Sequence, residues 1–160
     1  MQNERDAIIS FTNYQEIKNE IIIPNCKNIK IKEMMLTPLK WFPKSRFVRT
    51  QILSFGSPIC CPAVTYNMKK LKEFKFSSEM TVSLDWEAWY RLSQLHGSFC
   101  YIPMVLMYHR IHSESETTNA ISDNKRTEED WLMFNKFWPK CIAKVFMKFY
   151  INSQESNKEN

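Results

Sequence analysis

The chain has 160 residues, 44% of them hydrophobic and 14% aromatic, with a formal net charge of +5. That is one domain's length with ample core material, which excludes an intrinsically disordered segment. Its two glycines, Gly56 and Gly97, exclude the clustered glycines of a phosphate-cradling loop, and the modest positive charge favours anionic partners without choosing among them.

Asp6 to Thr12 is a short apolar run rich in strand formers and predicts a first strand. Ile21 to Ile23 predicts a second, closed by Pro24-Asn25. Lys30 to Leu36 reads as a short helix halted before Pro38, and Trp41 to Lys44 as loop. Phe47, Val48, Ile52 and Leu53 give Ser45 to Ser54 a helical spacing. A tight connection through Gly56, Pro58 and Pro62 leads to a strand at Ala63 to Tyr66. Asp85 to Leu95 predicts a helix with Trp86 and Trp89 on its buried stripe, ended by Gly97. Phe99 to Ile102 and Val105 to Arg110 read as two strands separated by Pro103. Ser113 to Lys125 is polar and loop-like. Thr127 to Phe137 and Pro139 to Tyr150 predict two helices, with Thr127 as N-cap, Asp130 at the capping-box position and Pro139 in the first turn of the second. The expected fold class is α/β, a short mixed sheet flanked by helices. Residues 1–125 form its main body, 126–151 a helical segment packed on it, and 152–160 a disordered tail.

The cysteines are Cys26, Cys60, Cys61, Cys100 and Cys141, an odd number without a C-x-x-C, which predicts free thiols in a reducing compartment. Met-Gln-Asn-Glu-Arg-Asp has no basic stretch leading into an apolar run, so no signal peptide is expected. No stretch approaches the roughly 18 apolar residues of a bilayer span. The expected location is cytoplasmic, with contact at the inner membrane surface open to a C-terminal helix. There Lys136, Lys140, Lys144 and Lys148 recur every four residues against Ile142, Val145, Phe146 and Phe149. The same spacing also describes a core-packed helix with a solvated face. These lysines do not interleave with aromatics in a groove pattern, so nucleic acid is not an expected partner.

Two constellations carry chemistry. In Ser83-Leu84-Asp85-Trp86-Glu87-Ala88-Trp89, an aspartate opens a helix beside free backbone amides and the positive end of the dipole. Such a carboxylate stays ionised and can take a proton from an attacking hydroxyl; it is equally a preferred cap. In Tyr108-His109-Arg110-Ile111-His112, strand alternation puts Tyr108, Arg110 and His112 on one face and His109 on the other. An arginine and a histidine projecting together suit an anionic ligand such as a diphosphate, and the same residues describe an ordinary exposed strand end. Cys60 and Cys61 read as small packed residues, with no histidine in a readable relation to them.

Taken in order, Phe55-Gly56-Ser57-Pro58-Ile59-Cys60-Cys61-Pro62-Ala63-Val64, Asp85-Trp86-Glu87-Ala88-Trp89-Tyr90-Arg91-Leu92, Gly97-Ser98-Phe99-Cys100-Tyr101-Ile102-Pro103 and Tyr108-His109-Arg110-Ile111-His112-Ser113-Glu114-Ser115 resemble the C-terminal half of bacterial family-two glycosyltransferases. The resemblance implies a partial GT-A (Rossmann-like) domain and an inverting transfer from a nucleotide sugar to a hydroxyl on a glycan or lipid-linked acceptor, as in polysaccharide biosynthesis. It implies Asp85 as catalytic base, Arg110 and His112 beside the donor diphosphate, with His112 also a candidate metal ligand. Gly56, Ser57, Cys61 and Trp86 would border the acceptor cleft. Leu84 stands where the family usually has an acidic residue. The family also holds Mg²⁺ or Mn²⁺ with an Asp-x-Asp, and no Asp-x-Asp occurs in this sequence, which begins just after where that motif would stand. The expectation is a truncated chain, inactive alone and in need of a donor-binding N-terminal half. The competing expectation is a non-catalytic binding module that docks through the basic amphipathic C-terminal helix.

Overall fold

The structure, a computed structural model, describes residues 6–23, 27–110 and 125–155. Among these residues the architecture is mixed α/β, a four-stranded sheet flanked by five α-helices. In chain order these are β1 (Ala7–Lys18), β2 (Ile21–Ile23), α1 (Lys27–Leu36), α2 (Arg46–Leu53), β3 (Val64–Tyr66), α3 (Leu84–Ser93), β4 (Ser98–Arg110), α4 (Lys125–Phe137) and α5 (Lys140–Glu155). Ser45 caps α2 by accepting the Val48 N–H at 3.3 Å, the arrangement a serine before an apolar helical run favours.

β1 is the hub of the sheet. β4 runs parallel along it from Ala7↔Ser98 to Ile17↔Arg110 and takes one whole edge. The other edge is shared by two antiparallel strands, β3 at Ile9 to Phe11 and β2 at Glu16 to Lys18. The turn from β1 to β2 is Asn19-Glu20, with φ of 50° and 65°. Two left-handed residues in succession match the twist of a hairpin, and asparagine accepts that conformation readily.

Three elements depart from the sequence expectation. β1 continues past Thr12 to Lys18, because its polar outer half finds backbone partners in β2 and β4. β4 is one strand, not two. Pro103 falls where the pairing slips between Thr12↔Ile102 and Asn13↔Val105, so its missing N–H interrupts no regular ladder. Among the described residues α4 begins at Lys125, which puts Thr127 inside the helix and frees Asp130 for a different partner. The expected loop over 113–125 lies outside the described residues apart from Lys125, which opens α4. Of the expected tail over 152–160, residues 152–155 continue α5 and the rest lies outside the described residues.

The core lies between the sheet and the later helices. Ile8 and Ile9 are both buried, so this end of β1 is covered on both faces. Trp86 and Trp89 of α3, Phe99 of β4 and Phe134 of α4 fill the same cluster, and Ala143 and Met147 bring α5 onto it. Trp86 donates its indole N–H to the Leu53 carbonyl at 2.8 Å, satisfying the one polar atom it buries. Arg49 of α2 is buried too, at a depth unusual for a charge. Its guanidinium donates to the carbonyls of Gly97 and Leu95, each at 3.0 Å, and lies over the Phe99 ring. It ties α2 to the turn between α3 and β4.

Gly97 makes that turn possible. Its φ is +134°, and a Cβ there would stand 2.6 Å from the Asp6 carbonyl oxygen and 2.7 Å from Ile8 Cγ1. Gly97→Ala should therefore lower the unfolding free energy by about 3 kcal/mol, combining backbone strain with overpacking. The reading is a lower urea midpoint at unchanged slope. An unchanged midpoint would refute so close an approach of β1 to the turn.

Candidate active site

Asp85 is the second residue of α3, with Ser83 at the N-cap. Its Oδ1 accepts the Trp86 N–H at 2.7 Å, and its side chain is half-buried. Burial pushes its carboxyl above the ordinary aspartate value, opposed by that N–H and by the charges of Lys32 and Arg126. The amides expected to keep this carboxylate ionised reach it in part, through Trp86, and burial outweighs them. The amides just ahead of α3 belong to another residue.

Glu129 of α4 takes them. It is buried, and its Oε1 accepts the N–H and the hydroxyl of Thr81, each at 3.0 Å. Its Oε2 accepts the N–H groups of Val82 and Ser83, each at 2.8 Å. Desolvation alone would raise the Glu129 pKa, yet the amides of Ser83, Thr81 and Val82 outweigh it and hold the carboxyl below its ordinary value. Beside it, Asp130 accepts the Ser83 hydroxyl at 2.7 Å and pairs with Arg126 at 3.8 Å. This is the role Asp130 has in place of a capping box. The approach to α3 is thus held from α4, while Asp85 itself takes the Trp86 N–H inside the first turn.

Around Asp85 stand groups from four elements. Cys61 and Tyr66 lie within its electrostatic reach from the β3 segment, Lys32 from α1, Arg126 from α4 and Tyr150 from α5. Burial raises the Cys61 thiol, and the Asp85 charge raises it further. Cys60 is pushed up to about 11, mainly by burial, so neither thiol is a thiolate at neutral pH. Tyr150 is pushed up to about 12 by burial and then by Asp130, so it remains a hydrogen-bond donor. The Tyr66 phenol is raised chiefly by burial; it interacts with the Cys61 thiol and has no oxygen or nitrogen partner among the described residues. Ser57 Oγ is likewise buried and unpartnered. Buried hydroxyls without partners mark places where a ligand or water completes the site.

A water-sized cavity adjoins this group between β1 and α1, lined in part by Asn13, Tyr14, Lys32, Glu33 and Cys60. Asn13 ties it together. It donates to Glu33 Oε1 at 2.9 Å and accepts from the Tyr101 hydroxyl at 2.6 Å. Lys32 reaches the Tyr14 oxygen at 3.4 Å and so faces both the cavity and Asp85.

The residues singled out from sequence separate into distinct places. Cys61 stands with Asp85, and Ser57 is half-buried on the loop leading to it. Trp86 is not at a cleft: at 1% exposed it packs against Phe134, Phe137 and Tyr150, so it cannot stack on a sugar. Gly56 is buried, and a Cβ there would stand 3.1 Å from the Tyr150 ring, so its role is to admit α5. Arg110 is exposed at the far end of β4 opposite Ile17. The strand from Phe11, beside β3, to Ile17 spans about 20 Å. The described backbone therefore does not bring Arg110 to Asp85. His112 lies outside the described residues. His109 turns the other way from Arg110, edge-on to Tyr14, as strand alternation requires.

Among the described residues no group of three or more His, Cys, Asp or Glu side chains is placed to hold a metal ion. The groups around Asp85 are thiols, phenols and cations, which do not fit the all-oxygen shell of Mg²⁺. No helix among the described residues is long and apolar enough to cross a membrane. Comparison with protein-family models, curated proteins and solved structures returned no match.

Proposed function

We propose that this chain is the acceptor-side, catalytic-base half of an inverting glycosyltransferase, with Asp85 as the general base. The observation that carries the reading is the state of Asp85. It is a partly desolvated carboxylate at a helix entrance whose approach is held by Glu129, and its proton affinity is raised despite the Trp86 N–H it accepts. A base whose pKa moves toward neutrality takes a proton more effectively in the transition state. Its role is to draw the proton from the acceptor hydroxyl as that oxygen attacks the anomeric carbon of a nucleotide sugar.

Lys32 and Arg126 favour its charged form before the attack. The Ser57 hydroxyl, buried without a partner among the described residues, and the Tyr66 hydroxyl, met there only by the Cys61 thiol, are the groups offered to a glycan or lipid-linked acceptor. By resemblance the donor diphosphate falls to His112 and to the donor-binding half; Arg110, at the far end of β4, stands too far from Asp85 to share it. Mg²⁺ or Mn²⁺ belongs with a donor-binding half, and no step is assigned to either ion here. Among the described residues Cys60, Cys61, Cys100 and Cys141 form no disulfide, which supports a reducing, cytoplasmic setting.

The test is release of nucleoside diphosphate from a panel of nucleotide sugars in the presence of Mn²⁺. It is run on the chain alone and on the chain joined to a donor-binding segment ending in Asp-x-Asp. No release from either piece and clear release from the pair is the expected result. Turnover by the isolated chain, or silence of the pair with every donor and acceptor, counts against it.

A further inference from the structure

α5 is amphipathic toward the core, and its outward face is divided again. Ala143 and Met147 point inward and are 0% and 6% exposed. Successive residues of a helix turn by about 100°, so Lys140, Lys144 and Lys148 form one narrow row, and all three are exposed. Beside that row, on the side away from the core, a second row is apolar. Ile142, Val145 and Phe149 are 39%, 52% and 70% exposed. The stretch Lys-Cys-Ile-Ala-Lys-Val-Phe-Met-Lys-Phe-Tyr-Ile from Lys140 to Ile151 contains no acidic residue.

A merely solvated face does not line up a phenylalanine, a valine and an isoleucine in the open. A protein-docking face would be depleted of lysine at its centre. Apolar and lysine rows running side by side suit an interface where hydrocarbon meets phosphate.

We propose that the outward face of α5 docks on an anionic lipid surface. Ile142, Val145 and Phe149 enter the boundary between headgroups and acyl chains, while Lys140, Lys144 and Lys148 lie against the phosphates. The helix lies in the plane of the surface and does not span it. The inference is independent of any transferase activity.

The experiment is co-sedimentation of the full chain with phosphatidylcholine vesicles, with and without phosphatidylglycerol. Binding is expected only to the anionic vesicles, and it weakens as salt is added. Lys140→Gln, Lys144→Gln and Lys148→Gln together should lower the partition coefficient by about 100-fold, near five-fold for each lysine. Val145→Ser with Phe149→Ser should lower it by about ten-fold or more on the same vesicles. All five side chains are exposed, so the fold is expected to survive both sets. Equal binding to neutral and anionic vesicles, or binding to neither, overturns the proposal. So does self-association of the chain that Phe149→Ser relieves, which would make the face a protein interface.

Discussion

Asp85→Asn, in the chain joined to a donor-binding half, should lower turnover by about 10²–10⁴-fold while making the protein more stable at neutral pH. The two effects share one cause. Asparagine keeps an oxygen for the Trp86 N–H, so the local hydrogen bond survives, but it cannot take a proton. The stability gain follows from the direction of the pKa shift. The folded pKa of Asp85 lies above the ordinary aspartate value of 3.8 because burial penalises the charge. Well below 3.8 the group is protonated in both states and makes no difference. As pH rises toward the folded value, the unfolded chain releases its proton first and stability falls. Above the folded value the whole penalty is present, and asparagine removes it. Melting should therefore rise by roughly 2–4 °C for each kcal/mol relieved, and the advantage should vanish in acid. A plain helix cap behaves in the opposite way, since losing one destabilises by about 0.5–2 kcal/mol. Retained turnover, or a variant that melts below its parent at neutral pH, would take the base role from Asp85.

Asp85 was legible in the sequence because helix entrances have a local signature. A serine, an aspartate and two tryptophans at helical spacing announce where α3 starts and which side it buries. The α/β class was legible for the same reason, since strand and helix periods are read within a few residues. What surrounds Asp85 was not legible. Glu129 reaches amides 46 to 48 residues away, and Lys32 arrives from a helix on another part of the sheet. Tyr66 looked like the end of a small apolar strand, and nothing in its neighbours signalled a buried hydroxyl without an oxygen or nitrogen partner. Trp86 failed as a cleft residue because spacing gives a face but not what covers it. α4 and α5 cover that face with Phe134, Phe137 and Tyr150. Arg49 had no signal at all. An arginine in an amphipathic helix reads as solvent-facing until carbonyls from a distant turn are seen to receive it.

Glu129→Ala should be the most destabilising single change at this end of the molecule, lowering the unfolding free energy by about 4 kcal/mol. The carboxylate receives three backbone N–H groups and one hydroxyl, and the amide of Ser83 is buried where water cannot replace it. Charged acceptors contribute more per hydrogen bond than neutral ones, although four bonds on one group do not add fully. Glu129→Gln should be milder, near 2 kcal/mol, because its amide nitrogen must face donors on one side. The pH dependence separates charge from packing. Since the folded pKa of Glu129 lies below the ordinary glutamate value of 4.5, the stability it supplies is complete above 4.5 and is lost as pH falls through the folded value. Parent and glutamine variant should therefore differ most near neutral pH and converge in acid, measured by urea unfolding at both. A gap that stays constant into acid would assign the residue's contribution to shape. Because the same carboxylate holds the backbone that leads into α3, the alanine variant should also loosen the α3 entrance where Asp85 sits, so the changes at Asp85 and Glu129 should be non-additive in a double-mutant cycle.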